Sequence, residues 1–172
     1  NLLEGIVICG GEPSCDKKLL GFIKKIKKMG PPAGGFAVKL DTNGSNPKIL
    51  KKLIDKKLID YVAMDIKGPK EKYDRIAGIK TDIKKIQKSI NILKECKVDY
   101  EFRSTIVPSL HTKEDILEMA KWIKGAKRYY LQSFRPEKTI NPEFEKIRPY
   151  SRDFLLEIRK AISPFFEICQ IR

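Results

Sequence analysis

Apolar positions along the chain change period in a regular way. Ile6 to Cys9 is a short β-branched run that stops at Gly10-Gly11-Glu12-Pro13, which predicts a buried strand ending in a glycine turn. Leu19, Leu20, Phe22, Ile23 and Ile26 then fall at helical spacing with lysines between them, predicting an amphipathic helix over 16–29. The run 30–35, Gly-Pro-Pro-Ala-Gly-Gly, is its expected stop. A strand over 36–40 ends in Asp41-Thr42-Asn43-Gly44, and Pro47 suits the first turn of a helix over 47–57. A third strand, 61–64, runs into Asp65-Ile66-Lys67-Gly68-Pro69 and then a polar loop holding Tyr73 and Gly78.

The alternation continues. Thr81-Asp82 opens a helix carrying Ile83, Ile86, Ile90, Leu93 and Cys96, and 99–107 contains a strand stopped by Pro108. Thr112 reads as an N-cap with Asp115 as its capping-box partner, and Gly125 as the helix stop. A fifth strand, 128–131, leads to Gln132-Ser133-Phe134-Arg135-Pro136. Residues 137–150 are proline-punctuated without period and read as a surface loop. A helix over 153–162 and a strand within 165–171 follow. Strand–helix alternation with short connections predicts an α/β fold of parallel strands. Five such strands are too few for an eight-stranded barrel, so the expectation is an open or partial (β/α) barrel missing its first element. Its extent is 1–135, with 136–172 packing on it as a C-terminal loop, helix and strand.

Composition refines this picture. The chain has 172 residues, enough for one domain of ordinary core. Lys+Arg is 36 against Asp+Glu 22, a formal charge of +14. The lysines, such as Lys24-Lys25 and Lys51-Lys52, interleave with apolar helix positions, as on a solvated face, which argues against a nucleic-acid partner. No apolar run spans a bilayer and no signal segment opens the chain, so the expected setting is cytoplasmic, without a membrane partner. Asn1 starts almost on a strand, and the natural polypeptide is expected to extend upstream. Four cysteines, Cys9, Cys15, Cys96 and Cys169, form no C-x-x-C pair. They are expected to be free thiols, with Cys9 and Cys169 in the core.

In parallel β/α folds ligands bind at the carboxyl ends of strands. The polar residues here fall there each time: Gly10, Gly11 and Glu12; Asp41, Thr42 and Asn43; Asp65 and Lys67; Arg103 and Thr105; Gln132 and Arg135. Each alone has an ordinary reading: a turn, a surface ion pair, a snorkelling arginine. Together they point to one pocket. Carboxylates and carbonyls suit an ammonium group or ribose hydroxyls, and Lys67 and Arg103 suit a carboxylate or phosphate, which describes a zwitterionic, nucleoside-like ligand. There is no phosphate-binding P-loop or G-x-G-x-x-G motif. The single histidine, His111, reads as a loop or cap residue rather than a general base, and no nucleophile–base pair is evident.

The segments CGGEP, LDTNG, AMDIKGP, FRSTIVP and LQSFRP, in this order, resemble the radical S-adenosylmethionine (SAM) superfamily, and within it the branch that activates glycyl-radical enzymes. The resemblance covers essentially the whole chain. It implies SAM and a [4Fe–4S] cluster as cofactors. It puts Gly10, Gly11 and Glu12 at the methionyl amino group, Asp65 and Lys67 near the ribose and carboxylate, and Arg103 and Thr105 on the strand beneath. Asn43 and Gln132 join the cofactor-binding set. Asp41 and Asp65 match carboxylates that help hold a monovalent cation. Arg135 departs from the pattern.

The implied activity is reductive cleavage of SAM to a 5′-deoxyadenosyl radical that activates a glycyl-radical enzyme such as anaerobic ribonucleotide reductase. Flavodoxin or ferredoxin would be the electron donor. The cluster motif C-x-x-x-C-x-x-C is absent from this sequence, so its ligands are expected upstream of residue 1, and the chain alone is expected to be inactive. Two other readings stay open: a radical SAM enzyme acting on RNA or a small molecule, and a non-catalytic basic β/α module that binds nucleosides.

Overall fold

The computed structural model describes residues 3–29, 35–137, 139 and 141–172. Most of the predicted glycine–proline stop, 30–34, therefore lies outside the described residues. The chain divides into two compact units, the first comprising 1–65 and 82–101, the second 66–81 and 102–172. Six strands alternate with helices: β1 Gly5–Ile8, β2 Ala37–Thr42, β3 Tyr61–Asp65, β4 Asp99–Ile106, β5 Arg128–Ser133 and β6 Ile168–Ile171. The helices are α1 Leu19–Met29, α2 Pro47–Asp55, α3 Tyr73–Ala77, α4 Ile83–Glu95, α5 Lys113–Trp122 and α6 Arg152–Ile162. No described helix is long and apolar enough to cross a membrane.

In the first unit β1 pairs parallel with β2, Ile6 opposite Val38, and β2 parallel with β3, Leu40 opposite Val62. The amphipathic stripe of α1 buries Leu19, Ile23 and Ile26, that of α2 buries Leu50 and Leu53, and that of α4 buries Ile86, Ile90 and Leu93. Asn46 accepts the Ile49 N–H as N-cap of α2, and Asp82 accepts the Lys84 N–H at the start of α4. These two caps explain why both helices begin where turn residues give way to periodic apolar ones. The predicted start of the first helix at 16 is corrected to Leu19: Asp16 accepts the Lys18 N–H in a turn of its own instead of capping the helix.

In the second unit β4 pairs parallel with β5 and β5 with β6, with Arg103 opposite Tyr130 and Tyr130 opposite Gln170. Phe102, Ser104 and Ile106 are buried, alternating with half-buried Arg103 and exposed Thr105. Thr112 and Asp115 form the predicted capping box at α5. The polar loop expected after the third strand is corrected. It holds a 3₁₀ turn, Lys70–Lys72, and α3, and Tyr73 is 2% exposed with its ring edge-on to Trp122 at 5.9 Å. Five residues show too little of a helical period for sequence to reveal. The proline-rich loop contains one 3₁₀ turn, Pro142–Lys146. The cysteine expectation also changes: all four are free thiols, but Cys9 lies beyond β1 and is exposed, and Cys169 is half-buried.

Candidate functional site

The site residues of the first unit stand where β1 and β2 end. Gly10 has φ +129°, a conformation that L side chains rarely adopt, so the turn requires glycine there. A side chain added at Gly10 or Gly11 would meet nothing within 4 Å, so the backbone of this turn is uncovered. Glu12 closes it. Its Oε1 accepts the Ser14 N–H at 3.1 Å and the Thr42 hydroxyl at 2.7 Å, and its Oε2 accepts the Asn43 N–H at 2.6 Å. One carboxylate thus ties the turn after β1 to the turn after β2.

Further bonds complete this assembly. The Asn46 side chain donates to the Ser14 carbonyl at 2.9 Å, and Asn43 Oδ1 accepts the Ser45 N–H at 2.9 Å. Ser89 on α4 donates to the Gly44 carbonyl at 2.7 Å. Gly44 has φ +75°, and a Cβ there would lie 2.0 Å from the Met64 methyl. Asp41 pairs with Lys39 at 3.6 Å, and Asp65 is half-buried at the end of β3. Asp41 is level with Ala63, so Asp65 lies on the same sheet face two residues further along.

In the second unit Lys67 is exposed, and its backbone is fixed on both sides. His111 Nε2 lies 2.8 Å from the Lys67 carbonyl, and the Lys67 N–H donates to the Tyr73 hydroxyl at 3.4 Å. The Val107 N–H donates to His111 Nδ1 at 3.1 Å, so the ring bridges the backbones of Val107 and Lys67. His111 is 2% exposed, which agrees with a structural role for the single histidine. Arg103 and Thr105 share one face of β4. Thr105 is level with Gln132 on β5, with 3.5 Å between Thr105 Oγ1 and Gln132 Oε1. On the opposite face Ser104 donates to the Ile66 carbonyl at 2.7 Å and accepts from Tyr129 at 2.9 Å. Burial pushes the Tyr129 phenol well above its ordinary range, so it acts there as a neutral donor. Arg135 is exposed beyond β5.

The structure therefore brings Glu12 and Asn43 into one hydrogen-bonded assembly beside the Gly10-Gly11 turn in the first unit, and Arg103, Thr105 and Gln132 onto one sheet face in the second. Sequence reasoning missed Ser14, Asn46 and Ser89. Asn46 before Pro47 was readable as a helix cap, but its second bond to Ser14 spans 32 residues and leaves no local signal. Ser89, inside a helix, leaves none either.

Among the described residues no group of three or more His, Cys, Asp or Glu could hold a metal ion. These residues do not fit a thiolate-held iron–sulfur cluster. The uncovered glycine turn, braced by Glu12, does fit a small zwitterion approaching through its ammonium group.

Residues 1–123 match the family profile described as the radical SAM superfamily. A protein of Methanocaldococcus jannaschii, provisionally named a glycyl-radical enzyme activating enzyme, is 37% identical over 173 residues, covering 98% of this chain and 70% of that protein. A domain of the pyruvate-formate lyase-activating enzyme of Bacteroides vulgatus superposes with a TM-score of 0.70 at 15% identity, over 95% of this chain and 98% of that one. A radical SAM methyltransferase of Sphaerobacter thermophilus superposes with a TM-score of 0.76 at 13% identity, over 99% of this chain and 51% of that one. At these identities the two structures speak to the fold alone. Six parallel strands alternating with helices match their partial-barrel architecture.

Proposed function

The chain belongs to the radical SAM superfamily, and from that premise we propose that the protein activates a glycyl-radical enzyme. The observation that carries the reading is the uncovered Gly10-Gly11 turn held by Glu12 through Thr42 and Asn43. It gives an ammonium group access to backbone at the end of a strand, already rigid before a ligand arrives. The name of the M. jannaschii relative supports the choice of partner class. SAM, when bound and reduced, supplies a 5′-deoxyadenosyl radical able to remove a hydrogen atom from a glycine Cα.

The chain's own residues bind and orient. Gly10, Gly11 and Glu12 take the methionyl amino end, with Asn43 beside them through its backbone bond to Glu12. Lys67 takes the carboxylate, its backbone held by His111, and Asp65 takes the ribose. Arg103, Thr105 and Gln132 offer donors and acceptors on one sheet face. Asp41 and Asp65, on one face two residues apart, are the groups offered for a monovalent cation. The thiolates for the [4Fe–4S] cluster come, in this reading, from outside residues 1–172. Anaerobic ribonucleotide reductase is the proposed partner, with flavodoxin or ferredoxin as electron donor, in the cytoplasm.

The test uses the full-length protein, reconstituted anaerobically with iron and sulfide, then mixed with dithionite and SAM. 5′-Deoxyadenosine is the expected product, and its absence overturns the reading. Residues 1–172 alone are expected to yield none; product from them would contradict the external cluster.

A further inference from the structure

A concavity is built entirely within the second unit, where β5 and β6 end beside α6, with a volume of about 580 Å³. Three arginines line it: Arg152 in the first turn of α6, Arg159 two turns later, and Arg172 after β6. Among the described residues no Asp, Glu or Lys side chain lines it. That selection is notable in a chain with eight arginines and 28 lysines. The planar fork of arginine grips phosphate in two places, which an ammonium cannot do.

Arg152 is exposed, whereas Arg159 and Arg172 are held by their surroundings. Arg159 Nε is buried with no hydrogen-bond partner among the described residues. A buried donor in that state is unfavourable unless something bound there accepts from it. The Arg172 guanidinium lies over the Tyr130 ring, 3.4 Å from its centre, and its backbone N–H donates to the Leu131 carbonyl at 2.8 Å. Of the two carboxylates of α6, Glu157 pairs with Lys113 and Asp153 is not among the residues that line the cleft. Beside the charges, Leu155, Leu156 and Ile171 line it together with Ser133, Gln170 and Tyr150, whose ring stacks on Phe154 at 4.0 Å.

We propose that this cleft binds an organic phosphate, with its phosphoryl oxygens between Arg152, Arg159 and Arg172 and its uncharged part on Leu155, Ile171 and Tyr150. A volume of this size lies in the range of small-molecule sites, about 300–1,000 Å³, and favours a nucleotide-sized ligand over a macromolecule. Arg152 and Arg159 stand apart from the residues given to SAM, while Arg172, over Tyr130, is on the sheet face that carries Arg103 and Gln132.

The test is calorimetric titration of the full-length protein with pyrophosphate, with ATP, and with adenosine as the uncharged control. ATP and pyrophosphate are expected to bind and adenosine not to bind here. ATP tighter than pyrophosphate assigns Leu155, Ile171 and Tyr150 to the ligand's uncharged part. Equal affinity overturns that part of the proposal. Arg159→Gln and Arg152→Gln are each expected to weaken binding at least about tenfold, the loss of one charge-assisted contact. Arg159→Lys keeps the charge without the fork and should fall between. Lys51→Gln and Lys84→Gln, on other helices, are expected to change affinity less than about twofold, the small effect of an exposed charge. Circular dichroism confirms that each variant folds. No binding by the full-length protein, or equal losses from the lysine and arginine variants, overturns the proposal.

Discussion

Replacing Glu12 by glutamine changes one oxygen to an amide nitrogen at a position where both oxygens accept. With its remaining oxygen toward Ser14 and Thr42, the new NH₂ faces the Asn43 N–H across the 2.6 Å now spanned by Oε2. Two donors then confront each other. Turning the amide over restores Asn43 but loses the bonds to the Ser14 N–H and the Thr42 hydroxyl. Either way at least one charge-assisted bond goes, worth about 1.5–3 kcal/mol. Glu12 is half-buried, so water recovers part of it, and the expected loss is about 2 kcal/mol. For a chain of this size that lowers Tm by about 4–8 °C. Urea unfolding should show a lower midpoint at unchanged slope, and hydrogen exchange should show faster exchange at the Asn43 amide. A stability within about 0.5 kcal/mol of the parent, with Asn43 exchange unchanged, would refute the claim that Glu12 joins the two turns.

Other expectations follow from single contacts. Gly44→Ala puts a methyl against Met64 and holds a side chain at φ +75°, and should cost about 1–3 kcal/mol in urea unfolding; a neutral result would mean the turn relaxes freely. Burial pushes the Asp115 carboxyl up, but its bonds to Lys72 and the Thr112 N–H outweigh this and hold it below the usual carboxylate range. The stability this gives is present above the unfolded pKa of about 3.9 and lost as pH falls through the lower folded value. Asp115→Asn should therefore be destabilised at pH 7, and the gap to the parent should close only as pH falls from about 3.9 through the lower folded value; a pH-independent gap would contradict this. Burial pushes the Cys169 thiol up to about 11. At pH 8 it should label with a disulfide reagent far more slowly than exposed Cys9 and Cys15, and equal rates would be inconsistent with its burial.

The alternation of strands and helices was legible because α2, α4, α5 and α6 each carry an apolar stripe behind a polar cap. Asp82, Thr112 and Asn46 all cap where their types suggest. Positions at strand ends were legible too, since Gly10, Asn43 and Thr105 follow or end apolar runs. Which atoms meet there was not. Glu12 reads as a lone carboxylate in a turn, yet its partners Thr42 and Asn43 lie 30 and 31 residues away. Cys9 misled because an apolar run does not mark the residue where pairing stops: β1 ends at Ile8. Tyr73 misled because polar neighbours hid a single anchoring ring. His111 was readable as structural, but the bridge from Val107 to Lys67 that explains it needs the fold.

The central proposal is hydrogen abstraction from a glycine by way of SAM, and isotope transfer tests it most directly. The full-length protein, reconstituted anaerobically and reduced, is mixed with SAM and an anaerobic ribonucleotide reductase deuterated at its glycine Cα positions. Deuterium in the recovered 5′-deoxyadenosine, with a glycyl radical signal in the partner, is the predicted result. Unlabelled 5′-deoxyadenosine and no radical on the partner would contradict it.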